Sequence, residues 1–80
     1  MKDNIILTDV YGDKIKASIL FTHFDYEFQK DYIIYTVDDD ILASAYTLVN
    51  NQYIINNDLS SKEYDMIDHL LEVKLGEAYA

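Results

Sequence analysis

Short apolar stretches separated by polar turns dominate the first two thirds of the chain and predict β-strands. Residues 4–8 form a short segment that is rich in β-branched side chains, which is typical of a strand. Residues 14–24 alternate apolar and polar positions in their first half and are apolar on both faces in their second half. Because side chains alternate along a strand, we expect Phe21 and His23 to share a face with Ile15.

Three further strands are predicted between residues 32 and 55. Residues 32–37 give the strongest strand signal in the chain, since all six are β-branched or aromatic. Residues 41–49 are expected to return as a fourth strand, and residues 52–55 to form a short fifth one. The pattern therefore predicts a sheet of four to five strands.

Polar residues mark the turns between these strands. Gly12 is free to adopt a positive φ in the first turn. Residues 25–31 are polar apart from two aromatics and are expected to form a connecting loop. The three aspartates at residues 38–40 are expected to form a turn of like charges. Asn50 and Asn51 are expected to form a two-residue hairpin turn, because asparagine tolerates the positive φ that such turns need.

The last third of the chain changes to a helical period. Ser60 followed by Glu63 matches a capping box, in which the hydroxyl and the carboxylate each accept from a free helix amide. Asp58 and Ser61 are alternative caps. Apolar residues then recur at helical spacing, at Tyr64, Met66, Ile67, Leu70, Leu71, Val73 and Leu75.

The end of this helix and its place in the fold also follow from the pattern. Gly76 is expected just past the helix end, with Lys74 in the last turn. A lone helix of this length is marginal in water, so its apolar stripe must be buried on the sheet. We therefore expect one α+β domain over residues 1–80, an antiparallel sheet of four to five strands with the C-terminal helix packed on one face.

The charge of the chain excludes some partners. Fifteen acidic residues face six lysines, there is no arginine, and the net charge is −9. Binding to a phosphate backbone needs several cationic contacts, so direct nucleic-acid binding is not expected. The acidity has two other interpretations: it keeps a small protein in solution, or it docks on a basic partner in the way that nucleic acid would.

The compartment is expected to be the cytoplasm. The chain has no cysteine, which excludes disulfides and zinc-thiolate sites, and a small secreted domain often needs disulfides. The first residues are not apolar for long enough to form a signal peptide. No stretch approaches the ~20 apolar residues of a membrane span.

No residue pattern indicates a catalytic, cofactor-binding or metal site. His69 and Asp65 are four residues apart on the polar side of the predicted helix, but no further ligands stand at supporting spacing. The aspartates at residues 38–40 lack the spacing of a calcium loop. The serines lie in no nucleophile elbow, and two glycines form no phosphate loop. An enzyme is therefore not expected, and neither is a cofactor.

The aromatic residues suggest one contact surface. Eight tyrosines suit both strands and protein interfaces. Tyr26 and Phe28 lie in the predicted loop between the second and third strands, where they cannot easily reach the face covered by the helix. They are the predicted partner-binding residues.

Short segments along residues 4–76 carry a family resemblance through their order and spacing. They are Ile6-Leu7-Thr8-Asp9 with Gly12, Leu20-Phe21-Thr22, Tyr32-Ile33-Ile34-Tyr35-Thr36, Ala43-Ser44 before Tyr46, and Tyr64-Asp65-Met66-Ile67. Together they resemble the bacterial family named domain of unknown function 1292 (DUF1292), the YrzB-like proteins. This chain differs in having only residues 38–40 in place of a long acidic insert, and tyrosine where tryptophan is common at the helix start. The family's activity is unassigned, so the resemblance implies a fold and a bacterial source without implying catalytic residues.

These observations favour a non-enzymatic protein-interaction module in the bacterial cytoplasm, with an unidentified protein partner that has a basic surface. The alternative is an acidic inhibitor that mimics nucleic acid and occupies the nucleic-acid site of a partner enzyme. The sequence does not indicate the oligomeric state.

Overall fold

The computed structural model describes the backbone of residues 4–79 and the side chains of residues 4–74 and 76. Five strands are followed by one C-terminal helix, so the predicted α+β architecture is confirmed. The elements are β1 (Asn4–Asp9), β2 (Lys14–Asp25), β3 (Lys30–Val37), β4 (Asp40–Val49), β5 (Gln52–Asn56) and α1 (Ser61–Tyr79).

The five strands close into a barrel in the order β1-β2-β3-β4-β5. Consecutive strands pair antiparallel, which leaves β1 and β5 running in the same direction, and these two pair in parallel from Leu7↔Tyr53 to Asp9↔Ile55. Antiparallel pairing of consecutive strands is thus as predicted, but the sheet is closed into a barrel instead of open. Closure is possible because β2 is long: its first half pairs with β1 and its second half with β3. A strand that pairs in this way must curve, and full closure pairs the edges that an open sheet would expose.

A β-bulge in β2 changes which side chains face the barrel interior. The register with β3 shifts between Ile19 and Phe21, so that Ile19 pairs with Tyr35 and Phe21 pairs with Ile34. One extra residue reverses the alternation of the side chains that follow it. Phe21 and His23 therefore do not share a face with Ile15, and that expectation is wrong. The bulge also accounts for the apolar second half of β2, since Leu20 and Phe21 both pack towards the helix.

Strand β3 lies between two apolar clusters. Inside the barrel, Ile33 and Tyr35 pack with residues of β1, β2 and β5, namely Leu7, Ala17 and Ile55. On the outer side, Tyr32 and Ile34 pack against Ile67 of α1. The helix thus covers one outer face of the barrel. Because β3 is buried on both sides, its sequence is continuously apolar and aromatic.

Helix α1 begins as the capping box predicts and ends later than Gly76. The Glu63 amide donates to Ser60 Oγ (3.2 Å), and the Ser60 amide donates to Glu63 Oε1 (3.0 Å), so Ser60 is the cap. The helix continues to Tyr79, and Gly76 is helical, so the predicted end is wrong and Lys74 is not in the last turn. Glycine costs about 1 kcal/mol inside a helix and does not have to end one.

The two sides of α1 are mostly as predicted. Ile67 is buried, and Met66, Leu70 and Leu71 are partly buried, which confirms the stripe at these positions. Tyr64 and Val73 are each 45% exposed and lie at its margins. The four polar positions expected on the opposite side are exposed, namely Asp65, Asp68, His69 and Glu72. Leu75 belongs to the predicted stripe but its side chain lies outside the described residues.

Two-residue turns join three of the strands. Asn50 and Asn51 have φ of 52° and 66°, which confirms the predicted hairpin turn. Asp38 and Asp39 form a similar turn with φ of 50° and 72°, while Asp40 pairs with Val37 and belongs to β4. The aspartate turn is thus one residue shorter than predicted, because a twisted hairpin favours a tight turn with two positive φ values.

Candidate protein-interaction surface

The hairpin of β2 and β3 carries the residues predicted to bind a partner. The predicted loop over residues 25–31 is shorter in the structure, where only residues 26–29 form the turn. Asp25 pairs with Lys30 at the ends of the strands. Asp25 Oδ2 accepts from the Phe28 amide (3.0 Å), and Gln29 reverses the chain with φ of 54°. The turn is therefore held by a hydrogen bond between its own residues, and residues 26 and 27 are exposed.

Tyr26 is exposed at this tip and packs on a second aromatic ring. Its relative exposure is 85%, and that of Phe24 is 43%. The two rings are edge-to-face, with centroids 5.1 Å apart and an interplanar angle of 81°, a favourable aromatic geometry. Phe28, the other predicted residue, is partly buried. The exposed aromatic pair is thus Phe24 with Tyr26, and sequence reasoning missed Phe24. The signal was available, because residues two apart along an extended chain lie on one side.

Acidic groups surround this aromatic pair. His23 Nε2 lies 3.6 Å from Asp25 Oδ1, an ion pair when the histidine is protonated. Glu27 and Asp31 are exposed. The neighbouring Lys30 extends its Nζ to Glu63 Oε2 (3.3 Å), and this contact balances part of its charge. Exposed aromatic surface thus lies beside two exposed carboxylates, Glu27 in the turn and Asp31 in β3.

A groove of about 370 Å³ opens next to the turn of the hairpin. It lies at one end of the barrel, between residues 29–31 of the hairpin, residues 45–47 of β4 and residues 54–56 of β5, with Val10 at its edge. Asp31 lines this groove and pairs with Phe24 across the hairpin. The aromatic pair and the groove thus form adjacent parts of one surface.

Glu63 is a buried carboxylate that fixes α1 to the barrel. It is 5% exposed, and its Oε2 accepts from the Tyr32 hydroxyl (2.6 Å) and from Lys30 Nζ (3.3 Å). The hydrogen bond from Tyr32, followed by that from the Ser60 amide, lowers the pKa of Glu63 to about 2. Burial, together with the hydrogen bond to Glu63, raises the pKa of Tyr32 above its ordinary value of 10.0. Both carboxylate oxygens are occupied by donors from the protein, so this group is a structural anchor.

A second buried polar contact fixes the link from β5 to α1. Ser44 is fully buried; its hydroxyl donates to Asn57 Oδ1 and accepts from the Tyr35 hydroxyl (3.0 Å). The Tyr64 hydroxyl donates to the Asn57 carbonyl (3.2 Å). A buried serine without access to solvent cannot reach a substrate, so these hydroxyls are structural. Ser44 thus holds Asn57, and the Asn57 carbonyl in turn holds the Tyr64 side chain at the surface between α1 and β4.

A second groove, of about 340 Å³, runs between α1 and the first half of β4. Its β4 wall is Ile41 and Leu42, and its α1 wall is Tyr64, Asp68 and Leu71. Ile41, Leu42 and Tyr64 are each 43–45% exposed. The sequence does not predict this apolar strip, because Tyr64 belongs to the apolar stripe of the predicted helix and no pattern indicates how β4 is oriented relative to the helix.

Neither a metal site nor a membrane helix is found in the described part of the chain. No three His, Asp or Glu side chains there are placed to hold a metal ion together. His69 and Asp65 are both exposed. Among residues 4–79, no helix combines the length and the apolar character needed to cross a membrane.

No protein-family model matches the chain, and neither a curated protein nor a solved structure is found to match it. The resemblance to the DUF1292 proteins stays a prediction. Any functional proposal therefore rests on the geometry and charge of the protein itself.

Proposed function

We propose that this chain is a non-enzymatic protein-interaction domain of the bacterial cytoplasm, which docks on a basic surface of a partner protein through the tip of the β2–β3 hairpin. The observation that carries the proposal is Tyr26, 85% exposed and packed edge-to-face on Phe24. Contiguous exposed apolar surface marks interaction sites in many proteins, and tyrosine is enriched among residues that dominate interface energies.

The rigidity of the tip supports a role in binding. The hydrogen bond from the Phe28 amide to Asp25 holds the turn, and the neighbouring ring restricts Tyr26. A residue already held in its bound conformation loses less entropy on association. Phe28 is partly buried, and we assign it a share in both the conformation of the turn and the contact with the partner.

The acidic field supports a basic partner. The net charge is −9, and Glu27 and Asp31 stand beside the aromatic pair. Complementary charge mainly accelerates encounter, whereas buried aromatic anchors mainly slow dissociation. The two features thus serve different steps of one association.

The second candidate function is inhibition of a nucleic-acid enzyme by mimicry. It is favoured by the high negative charge without a single arginine, which suits a surface built for phosphate-binding sites. The two functions differ in one measurable respect: a mimic competes with duplex DNA or RNA for its partner, and a simple docking module does not.

The proposal is tested by site-specific photo-crosslinking in cells of the native host. A photoreactive phenylalanine analogue replaces Tyr26 in one variant and Tyr11 in another. Tyr11 is 87% exposed in a different turn and is the matched control. The proposal expects one predominant protein partner captured from position 26 and not from position 11. Equal capture from both positions, or none from position 26, would refute the hairpin as the docking site.

Kinetics with the captured partner then separate the two contributions. Tyr26→Ala should raise the dissociation rate by about tenfold or more, while Tyr11→Ala should leave it unchanged. Added salt should chiefly lower the association rate, since the Debye length falls to ~10 Å at 0.1 M.

Thermal melting of Tyr26→Ala should match the parent protein. A large loss of melting temperature would assign Tyr26 to the core. Competition by duplex DNA would favour the mimic.

A further inference from the structure

We infer that the groove between α1 and β4 binds a basic amphipathic helix of the partner protein. The inference rests on the proposed function in one respect, that the partner is basic. It concerns a different surface from the hairpin tip.

The walls of the groove are largely apolar and accessible. Ile41 and Leu42 of β4 and Tyr64 of α1 are half-exposed there, and Leu71 extends the apolar strip along α1. The volume of about 340 Å³ lies within the range of sites that bury apolar groups of a ligand. The hydroxyl of Tyr64 is held by the Asn57 carbonyl, so this part of the wall is already fixed.

The charges beside the groove specify the occupant. Asp68 lines the groove, and residues three or four positions apart lie on one side of a helix. Asp65 and Glu72 therefore continue the same flank of α1, and all three are exposed. Lys62 precedes Asp65 and Met66 by one turn, and at 3.6 residues per turn it points roughly 120° away from the groove-lining Asp68.

The β4 end of the groove is acidic as well. Asp38 and Asp39 form the turn and Asp40 begins β4, directly before Ile41, and all three are exposed. No lysine is among the groove-lining residues in the described part of the chain. A ligand in this groove must therefore present apolar side chains to the groove walls and cations to the carboxylates along its rim, which belong to α1 and to residues 38–40.

The spacing of the rim favours a helix over an extended segment. Asp65, Asp68 and Glu72 follow one another at intervals of three and four residues. A helix lying beside α1 presents cations at the same intervals, while its apolar stripe faces the groove. In an extended segment, alternate side chains point in opposite directions, so cations next to apolar anchors would point away from the rim.

The test uses a synthetic amphipathic peptide of leucine and lysine, titrated into the isotope-labelled protein and followed by NMR. A peptide of the same composition in scrambled order is the control for general charge attraction. We expect saturable shifts at Ile41, Leu42, Tyr64 and Leu71 with the amphipathic peptide only. Equal shifts from the scrambled peptide, shifts confined to the hairpin tip, or no shifts at about 1 mM peptide would each overturn the inference.

Two charge reversals make the test specific to the groove. Asp68→Lys and Glu27→Lys change the net charge equally, but only Asp68 lines the groove, whereas Glu27 lies at the hairpin tip. Asp68→Lys should weaken peptide binding about tenfold, and Glu27→Lys less than about twofold. Equal weakening would mean attraction to the overall charge and would overturn the inference. Tyr26 takes no part in this measurement. A negative result with the peptide would therefore overturn the groove as a binding site without affecting the crosslinking test of the hairpin.

Discussion

The Tyr32 hydroxyl donates to Glu63 Oε2 at 2.6 Å and joins the middle of the barrel wall to the first turn of α1. Glu63 also completes the capping box with Ser60. The Glu63 carboxylate thus accepts a hydrogen bond from the Ser60 amide at the start of the helix and anchors the helix on β3. It also balances part of the charge of Lys30. This contact and the packing of Ile67 on Tyr32 and Ile34 together hold the helix on the barrel.

Removing either side of this contact should destabilise the fold. Tyr32→Phe should cost about 1–3 kcal/mol in the free energy of unfolding, because the buried carboxylate loses a donor. Glu63→Ala should cost more, since it also removes the capping-box interaction, worth about 1 kcal/mol. Urea unfolding followed by circular dichroism measures both changes. Tyr11→Phe, at an exposed position, is the control and should be neutral. A neutral Tyr32→Phe would show that the contact does not stabilise the protein.

The same contact makes stability depend on pH. The pKa of Glu63 is about 2 in the folded protein, against an ordinary value of 4.5, so the folded state binds this proton less readily than the unfolded state. The contribution is therefore fully present above pH 4.5 and is lost as the pH falls towards 2. Tyr32 has a raised pKa, so its contribution is present below pH 10.0 and is lost as the pH rises beyond it.

Comparison with Glu63→Gln isolates the loss of stability at acidic pH that comes from Glu63, since glutamine cannot ionise. The difference in unfolding free energy between the parent and this variant should shrink steadily as the pH falls from about 4.5 to about 2. A difference that stays constant over this interval would contradict the assignment of the low pKa to Glu63.

The two sides of α1 should respond differently to truncation. Ile67 is 2% exposed and packs against Tyr32 and Ile34, so Ile67→Ala should cost about 2–5 kcal/mol. Leu71 is only partly buried, and Leu71→Ala should cost less. His69→Ala, on the exposed side, should stay within about 0.5 kcal/mol of neutral. Chemical denaturation gives all three values, and similar losses for Ile67 and His69 would mean that the helix face is misassigned.

The aspartate turn offers a test of backbone strain with charge held equal. Asp39 has φ of 72°, a conformation that glycine adopts freely and that alanine disfavours. Asp39→Gly and Asp39→Ala remove the same charge, so the glycine variant should be the more stable of the two by about 1 kcal/mol. Thermal and chemical unfolding of the pair measure this difference. An alanine variant as stable as the glycine variant would show that the turn relaxes to negative φ.

Local sequence patterns were sufficient for the elements and for part of the candidate surface. The continuous apolar run of β3, the capping box of Ser60 and Glu63, and the Asn50-Asn51 turn each depend on interactions within a few residues, so their spacing is visible along the chain. The sequence also predicts that Tyr26 is exposed, because a polar turn between strands has no core to fill. It predicts the same for Phe28, whereas the structure buries part of that ring and pairs Tyr26 with Phe24.

Only the tertiary structure decided how these elements close on one another. The pairing of β1 with β5 depends on the curvature of β2 and the summed twist of all five strands, which no single segment records. The bulge at Leu20 reversed the face of Phe21 and His23, since one unpaired residue changes the alternation of everything that follows. The apolar groove beside Tyr64 exists because Glu63, rather than Tyr64, faces the barrel at the start of α1. The sequence determines a helix with an apolar stripe, but the rotation of that stripe on the barrel depends on contacts with β3: the packing of Ile67 and the buried hydrogen bond from Tyr32 to Glu63, a residue thirty-one positions away.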